Sequence, residues 1–67
     1  MNSFTCKGST YSVSKELNSD ILVEILASAK RKNLQTVIIT ADGGYPKELK
    51  KTKSLLESMT GIDIVLV

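Results

Sequence analysis

Histidine and tryptophan are both absent from this 67-residue chain, and cysteine and proline occur once each, as Cys6 and Pro46. Without histidine the most frequent general base and zinc ligand are missing, and one thiol with scattered carboxylates makes no metal site. A single cysteine closes no bridge within the chain, which fits a reducing, cytoplasmic setting and removes one usual support of small folds. Phe4, Tyr11 and Tyr45 are the whole aromatic complement, with no stacking pattern for single-stranded nucleic acid. No apolar run approaches the roughly 20 residues of a membrane span, and Met1-Asn2-Ser3-Phe4-Thr5 lacks the basic start and apolar middle of a signal peptide. No membrane, metal or cofactor is therefore expected.

Apolar residues at 42% with 24% charged residues describe an ordinary globular chain. Residues 1 to 67 are read as one domain, of a size that buries only about 60% of the surface its unfolded chain exposes. The formal charge of +2 hides an asymmetry, since residues 30 to 53 hold seven lysines or arginines against Asp42 and Glu48 alone.

Two left-handed stop signals fix the fold class. Asn33-Leu34 stands before Val37-Ile38-Ile39, and Gly61-Ile62 before Ile64-Val65-Leu66-Val67. Asn and Gly accept positive φ just past a helix, and the apolar residue after them packs back on its last turn. Before Asn33, Leu17, Ile21, Leu22, Ile25, Leu26 and Ala29 recur at helical spacing from Ser14 to Lys32, with Ser14, Asn18 or Ser19 able to cap the start. Before Gly61, the inner face of a second helix is read as Leu49, Thr52, Leu55, Leu56 and Met59, with Lys47, Lys50, Lys51, Ser54 and Glu57 outward and Pro46 in the first turn. Leu34 to Ala41 and Ile62 to Val67 are strands, the first with Val37, Ile39 and Ala41 on one face and Thr36, Ile38 and Thr40 on the other. Phe4 and Cys6, then Tyr11 and Val13, alternate with polar residues around Gly8-Ser9, which reads as a hairpin.

The expected fold is α/β, bordering on α+β: a small two-layer sandwich in which an N-terminal β-hairpin precedes α-β-α-β, with a mainly parallel sheet and both helices on one face. The order helix, strand, helix, strand over residues 17 to 67 is similar in layout to the Alba family of small nucleic-acid-binding chromatin proteins. That family's lysine-bearing N-terminal motif is missing and the loop at Asp42 does not match, so no residue role carries over.

Three candidate surfaces follow. Gly43, Gly44, Tyr45 and Lys47 lie where a strand ends and a helix begins, a place suited to a phosphate, although Pro46 removes an amide donor and Asp42 repels an anion. Lys30, Arg31, Lys32, Lys47, Lys50 and Lys51 could join in a basic surface for phosphates. Ile38, Asp63, Val65 and Val67 lie on the sheet face away from the helices and are candidates for a partner interface. Cys6 reads as a small core residue, with no histidine to activate it and Lys7 on the opposite strand face. The carboxylates form no acid and base pair, so no enzyme is expected. The expected function is a small non-enzymatic binding or regulatory protein, an adaptor or an inhibitor, engaging another protein or a second copy of itself. The alternative is binding of nucleic acid or a nucleotide through the second helix and the Gly43-Gly44 turn.

Overall fold

The computed structural model describes residues 4 to 67; Met1, Asn2 and Ser3, part of the stretch read for a signal peptide, lie outside the described residues. β1 (Phe4–Lys7) and β2 (Thr10–Val13) pair antiparallel, and Gly8 supplies the left-handed residue of their turn with φ 63°. α1 (Ser19–Arg31), β3 (Thr36–Ala41), α2 (Leu49–Thr60) and β4 (Asp63–Leu66) follow. The sheet order is β1-β2-β3-β4, with β2 parallel to β3 and β3 parallel to β4. The fold is the expected two-layer arrangement, its sheet mixed because the hairpin contributes an antiparallel pair.

Both stop signals act as their residues dictate. Asn33 has φ 60°, and the Leu34 amide returns to the Ala29 carbonyl at 3.0 Å. Gly61 has φ 72°, and its amide reaches the Glu57 carbonyl at 2.9 Å. At the start of α1 the cap is Asn18, whose Oδ1 accepts the Ile21 amide at 2.9 Å, so the helix begins at Ser19 and not at Ser14. The strands begin at Thr36 and Asp63, one to two residues later than the apolar runs alone imply, because Leu34 and Ile62 are spent on the helix ends.

Tyr11, Val13, Val37, Ile39 and Ile64 turn inward and are buried with Ile21, Leu22, Ile25, Leu26 and Ala29 of α1 and Leu49 of α2. On the opposite sheet face Thr10, Ile38 and Val65 lie side by side, as do Thr36 and Asp63. Neither helix covers that face: Ile38 is half-buried between its neighbours, and Val65 is 44% exposed.

Two details of α2 differ from expectation. Pro46 precedes the helix instead of opening it, since the Leu49 and Lys50 amides close on the Pro46 and Lys47 carbonyls at 3.1 and 3.2 Å in a tight turn that leads into Leu49. The helix is also rotated about its axis. Leu55 and Met59, assigned to the inner face, are 60% and 71% exposed, whereas Lys53, Glu57 and Thr60 are half-buried beside Leu49, Thr52 and Leu56. Polar contacts fix this rotation. Thr60 Oγ1 donates to the Leu56 carbonyl at 2.6 Å and accepts from the Ile62 amide at 3.2 Å, while Glu57 takes the Ile64 amide at 2.9 Å. One buried leucine and a thin apolar stripe leave the angle open, and these bonds decide it.

Candidate groove along the edge of β4

Among the described residues β4 closes one side of the sheet and has its neighbour in β3 alone. The Asp63 and Val67 amides donate to the Gln35 and Ile39 carbonyls at 2.9 and 3.0 Å. In a parallel ladder every second residue turns both backbone groups to its neighbour, so Asp63, Val65 and Val67 face β3 while Ile64 and Leu66 turn theirs to the open edge. Against that edge lies a groove of about 490 Å3 whose floor is Ile64, Val65 and Leu66. Lys50, Lys53 and Ser54 of α2 form its wall, with Tyr45 also lining it. Spacing of three and four residues puts those side chains on one helix face. The groove therefore combines outward backbone groups, an apolar floor and two ammonium groups.

One outward amide already holds an oxygen. Glu57 Oε2 accepts the Ile64 amide, and Glu57 Oε1 meets Lys53 Nζ at 3.3 Å. The amide hydrogen bond, aided by Lys53, holds the Glu57 carboxyl below its usual range of about 4.5. A carboxylate whose pKa falls on folding lends stability in full above its unfolded value, and that stability is lost as pH drops through the folded value. Wild-type melting temperature is accordingly expected to fall below about pH 4.5. Glu57→Gln is expected to melt lower at neutral pH and to lose less over the same acid window, read by circular dichroism across a pH series; parallel curves would remove Glu57 from the acid response.

The Gly43-Gly44 turn is occupied by the chain itself. The Gly44 amide closes on the Ala41 carbonyl at 3.1 Å, and the Gly44 carbonyl accepts the Leu17 amide at 2.8 Å. A Cβ on Gly43 would stand 2.4 Å from the Glu16 nitrogen, so this glycine serves close passage of two backbones. α2 starts at Leu49, so its first amides are not those of the glycines. Of that predicted set Tyr45 reaches the β4 groove and Lys47 is exposed beyond it.

The basic residues divide into two groups. Ser19 and Thr52, each near the start of its helix, stand 3.4 Å apart through their hydroxyls. At 1.5 Å per residue, Lys30, Arg31 and Lys32 lie about 17 to 20 Å further along α1, away from Lys47, Lys50 and Lys51 at the start of α2. Among the partner-interface candidates, Val65 borders both the open sheet face and the groove, whereas Ile38, Asp63 and Val67 belong to the open face alone.

Cys6 packs against the core from the sheet edge without being closed inside it. It is half-buried on the inner side of β1, and Lys32 Nζ approaches its sulfur to 2.7 Å. Sequence reasoning saw only the adjacent Lys7; the helix end that brings Lys32 across 26 positions left no local signal. The groove was equally hidden, because Lys53 and Ser54 become its wall only once the rotation of α2 is set. No family model, curated protein or solved structure matches this chain.

Proposed function

We propose that this protein is a small binding module, working in a reducing, cytoplasmic setting, that takes up an extended segment of another protein as an added strand along β4. The observation that carries this reading is the groove in which the outward edge of Ile64–Leu66 runs beside Lys50 and Lys53. Strand addition draws affinity from main-chain hydrogen bonds and specificity from alternate side chains. Side chains of the incoming strand that point toward α2 meet two ammonium groups, and those on the other face join Val65 of the open sheet. The segment it fits is therefore acidic on one face and apolar on the other. Glu57 on the Ile64 amide is a carboxylate of the chain itself already seated at this edge. A second copy is a poorer occupant, since two β4 edges related by a twofold axis would bring Lys50 and Lys53 of both copies together.

The test is selection of extended peptides from a random display library on the immobilised protein, followed by amide chemical-shift mapping. Selected peptides are expected to carry acids at alternate positions and to shift the Ile64, Val65 and Leu66 resonances. Combining Lys50→Glu with Lys53→Gln is expected to weaken them about tenfold at low salt, the size expected for two partly exposed ion pairs. Peptides that map to another surface, or equal affinity in the double variant, would overturn the reading; a dimer that protects β4 would replace it with self-pairing.

A further inference from the structure

On the opposite edge of the sheet from the β4 groove, β1 carries the chain's one thiol. Its sulfur donates to the Gly8 carbonyl at 3.3 Å, and two side chains from separate elements converge on it. Lys32, the C-terminal cap of α1, sets its ammonium 2.7 Å from Cys6 Sγ. Tyr11 is the cross-strand partner of Cys6 and is wholly buried, and among the described residues its hydroxyl makes no well-aligned hydrogen bond. Such an orphan is uncommon, because a buried hydroxyl left unpaired costs about 1–3 kcal/mol. Burial pushes the phenol up, Cys6 beside it pushes it further, and Ser28 draws it part of the way back. The effect is mutual, with Lys32 first and Tyr11 second holding the Cys6 thiol below its usual range. The cluster thus contains a thiol biased toward ionisation, a cation upon it and a buried hydroxyl that lacks a well-aligned acceptor. One oxygen atom on sulfur would supply that acceptor and place a negative charge between both donors.

We propose that Cys6 is a peroxide-reactive thiolate whose sulfenate is held by Lys32 and Tyr11. The thiolate attacks one oxygen of hydrogen peroxide, the O–O bond breaks as the S–O bond forms, and sulfur gives up two electrons. The departing hydroxide takes the proton of the new sulfenic acid and leaves as water, so that the sulfenate stays beside the Lys32 ammonium. With no second cysteine in the chain, no internal disulfide follows. The sulfenate lasts until it takes a proton from solvent and the sulfenic acid condenses with a low-molecular-weight thiol, forming a mixed disulfide and water. Because β1 and β4 are opposite edges, this site stands or falls independently of the peptide groove.

The test treats the full chain with hydrogen peroxide, adds dimedone after increasing delays, and reads intact mass. An ordinary thiol of pKa about 8.5 is only about 3% thiolate at pH 7, and the gain from fuller ionisation is offset by the lower nucleophilicity of a low-pKa sulfur. Cys6 is therefore expected to react about three- to tenfold faster than glutathione at pH 7. Lys32→Met is expected to slow it toward the glutathione rate. Tyr11→Phe keeps the ring and removes only the unpaired hydroxyl, so far-UV circular dichroism should be unchanged while the trappable sulfenate becomes severalfold shorter-lived. A wild-type rate equal to that of glutathione, or a Tyr11→Phe sulfenate as durable as the wild type's, would overturn the proposal.

Discussion

Gly43→Ala is expected to lower the melting temperature by about 10 to 20 °C, the shift that about 2–3 kcal/mol of overpacking produces in a domain of this size. The added Cβ would sit 2.4 Å from the Glu16 nitrogen and 2.9 Å from both Glu16 Cα and the Lys15 carbonyl carbon. All three are backbone atoms, so no side chain can swing aside. The two segments are also tied together on either side of the contact: the Asp42 amide reaches the Val13 carbonyl at 2.9 Å, and the Leu17 amide reaches the Gly44 carbonyl at 2.8 Å. Relief requires breaking one of these bonds or shifting Leu17, which is fully buried at the foot of α1. A chain of this length holds about 3–10 kcal/mol in all, so the loss is a large share of it. Gly44→Ala is the control. Its Cβ would meet open space and only the φ of 76° resists it, a cost of about 1–2 kcal/mol. Thermal unfolding of the two variants side by side decides the matter: if Gly43→Ala melts no lower than Gly44→Ala, the close approach of the two loops is wrong.

That contact explains which parts of the molecule could be read from residues and which could not. Asn33 and Gly61 act locally, through the φ that each backbone accepts, so the helix ends and the order of elements were legible. The alternation in Thr36-Val37-Ile38-Ile39-Thr40 was equally local and placed Ile38 on the open face. Gly43 has the same local signature as any turn glycine, and the reason for it lies in Glu16, on a different loop. The rotation of α2 failed for a related reason. Leu55 and Met59 are as apolar as Leu49 and Leu56, and the choice among them was made by Glu57 and Thr60 bonding to residues beyond the helix. Half of the candidate groove depended on that choice. The strand edge could be foreseen once the last strand was recognised, but its lysine wall could not.

The register of β4 yields the sharpest separation of fold from binding, through proline at two adjacent positions. Val65→Pro is expected to unfold the protein. Its nitrogen faces β3 in the alternation set by Asp63 and Val67, so the ring would remove a ladder bond and press against the neighbouring strand, at about 3 kcal/mol or more. Against a total of about 3–10 kcal/mol little structure would survive. Leu66→Pro differs by one residue and should have the opposite result. The Leu66 nitrogen faces the open edge, where proline is tolerated because no ladder bond is lost. The extended Val65 before it already has the conformation proline requires. Replacing the half-buried Leu66 side chain is expected to cost about 1–2 kcal/mol, leaving the sheet folded by circular dichroism. On that intact sheet the ring would remove the edge donor and occupy the path of any added strand. Binding of the selected acidic peptides is therefore expected to fall by about a hundredfold or more, a loss of some 3 kcal/mol made of missing main-chain bonds and direct obstruction. Calorimetric titration of the folded Leu66→Pro variant gives the answer. Undiminished affinity would mean that partners reach this protein by the open face and not along the edge of β4.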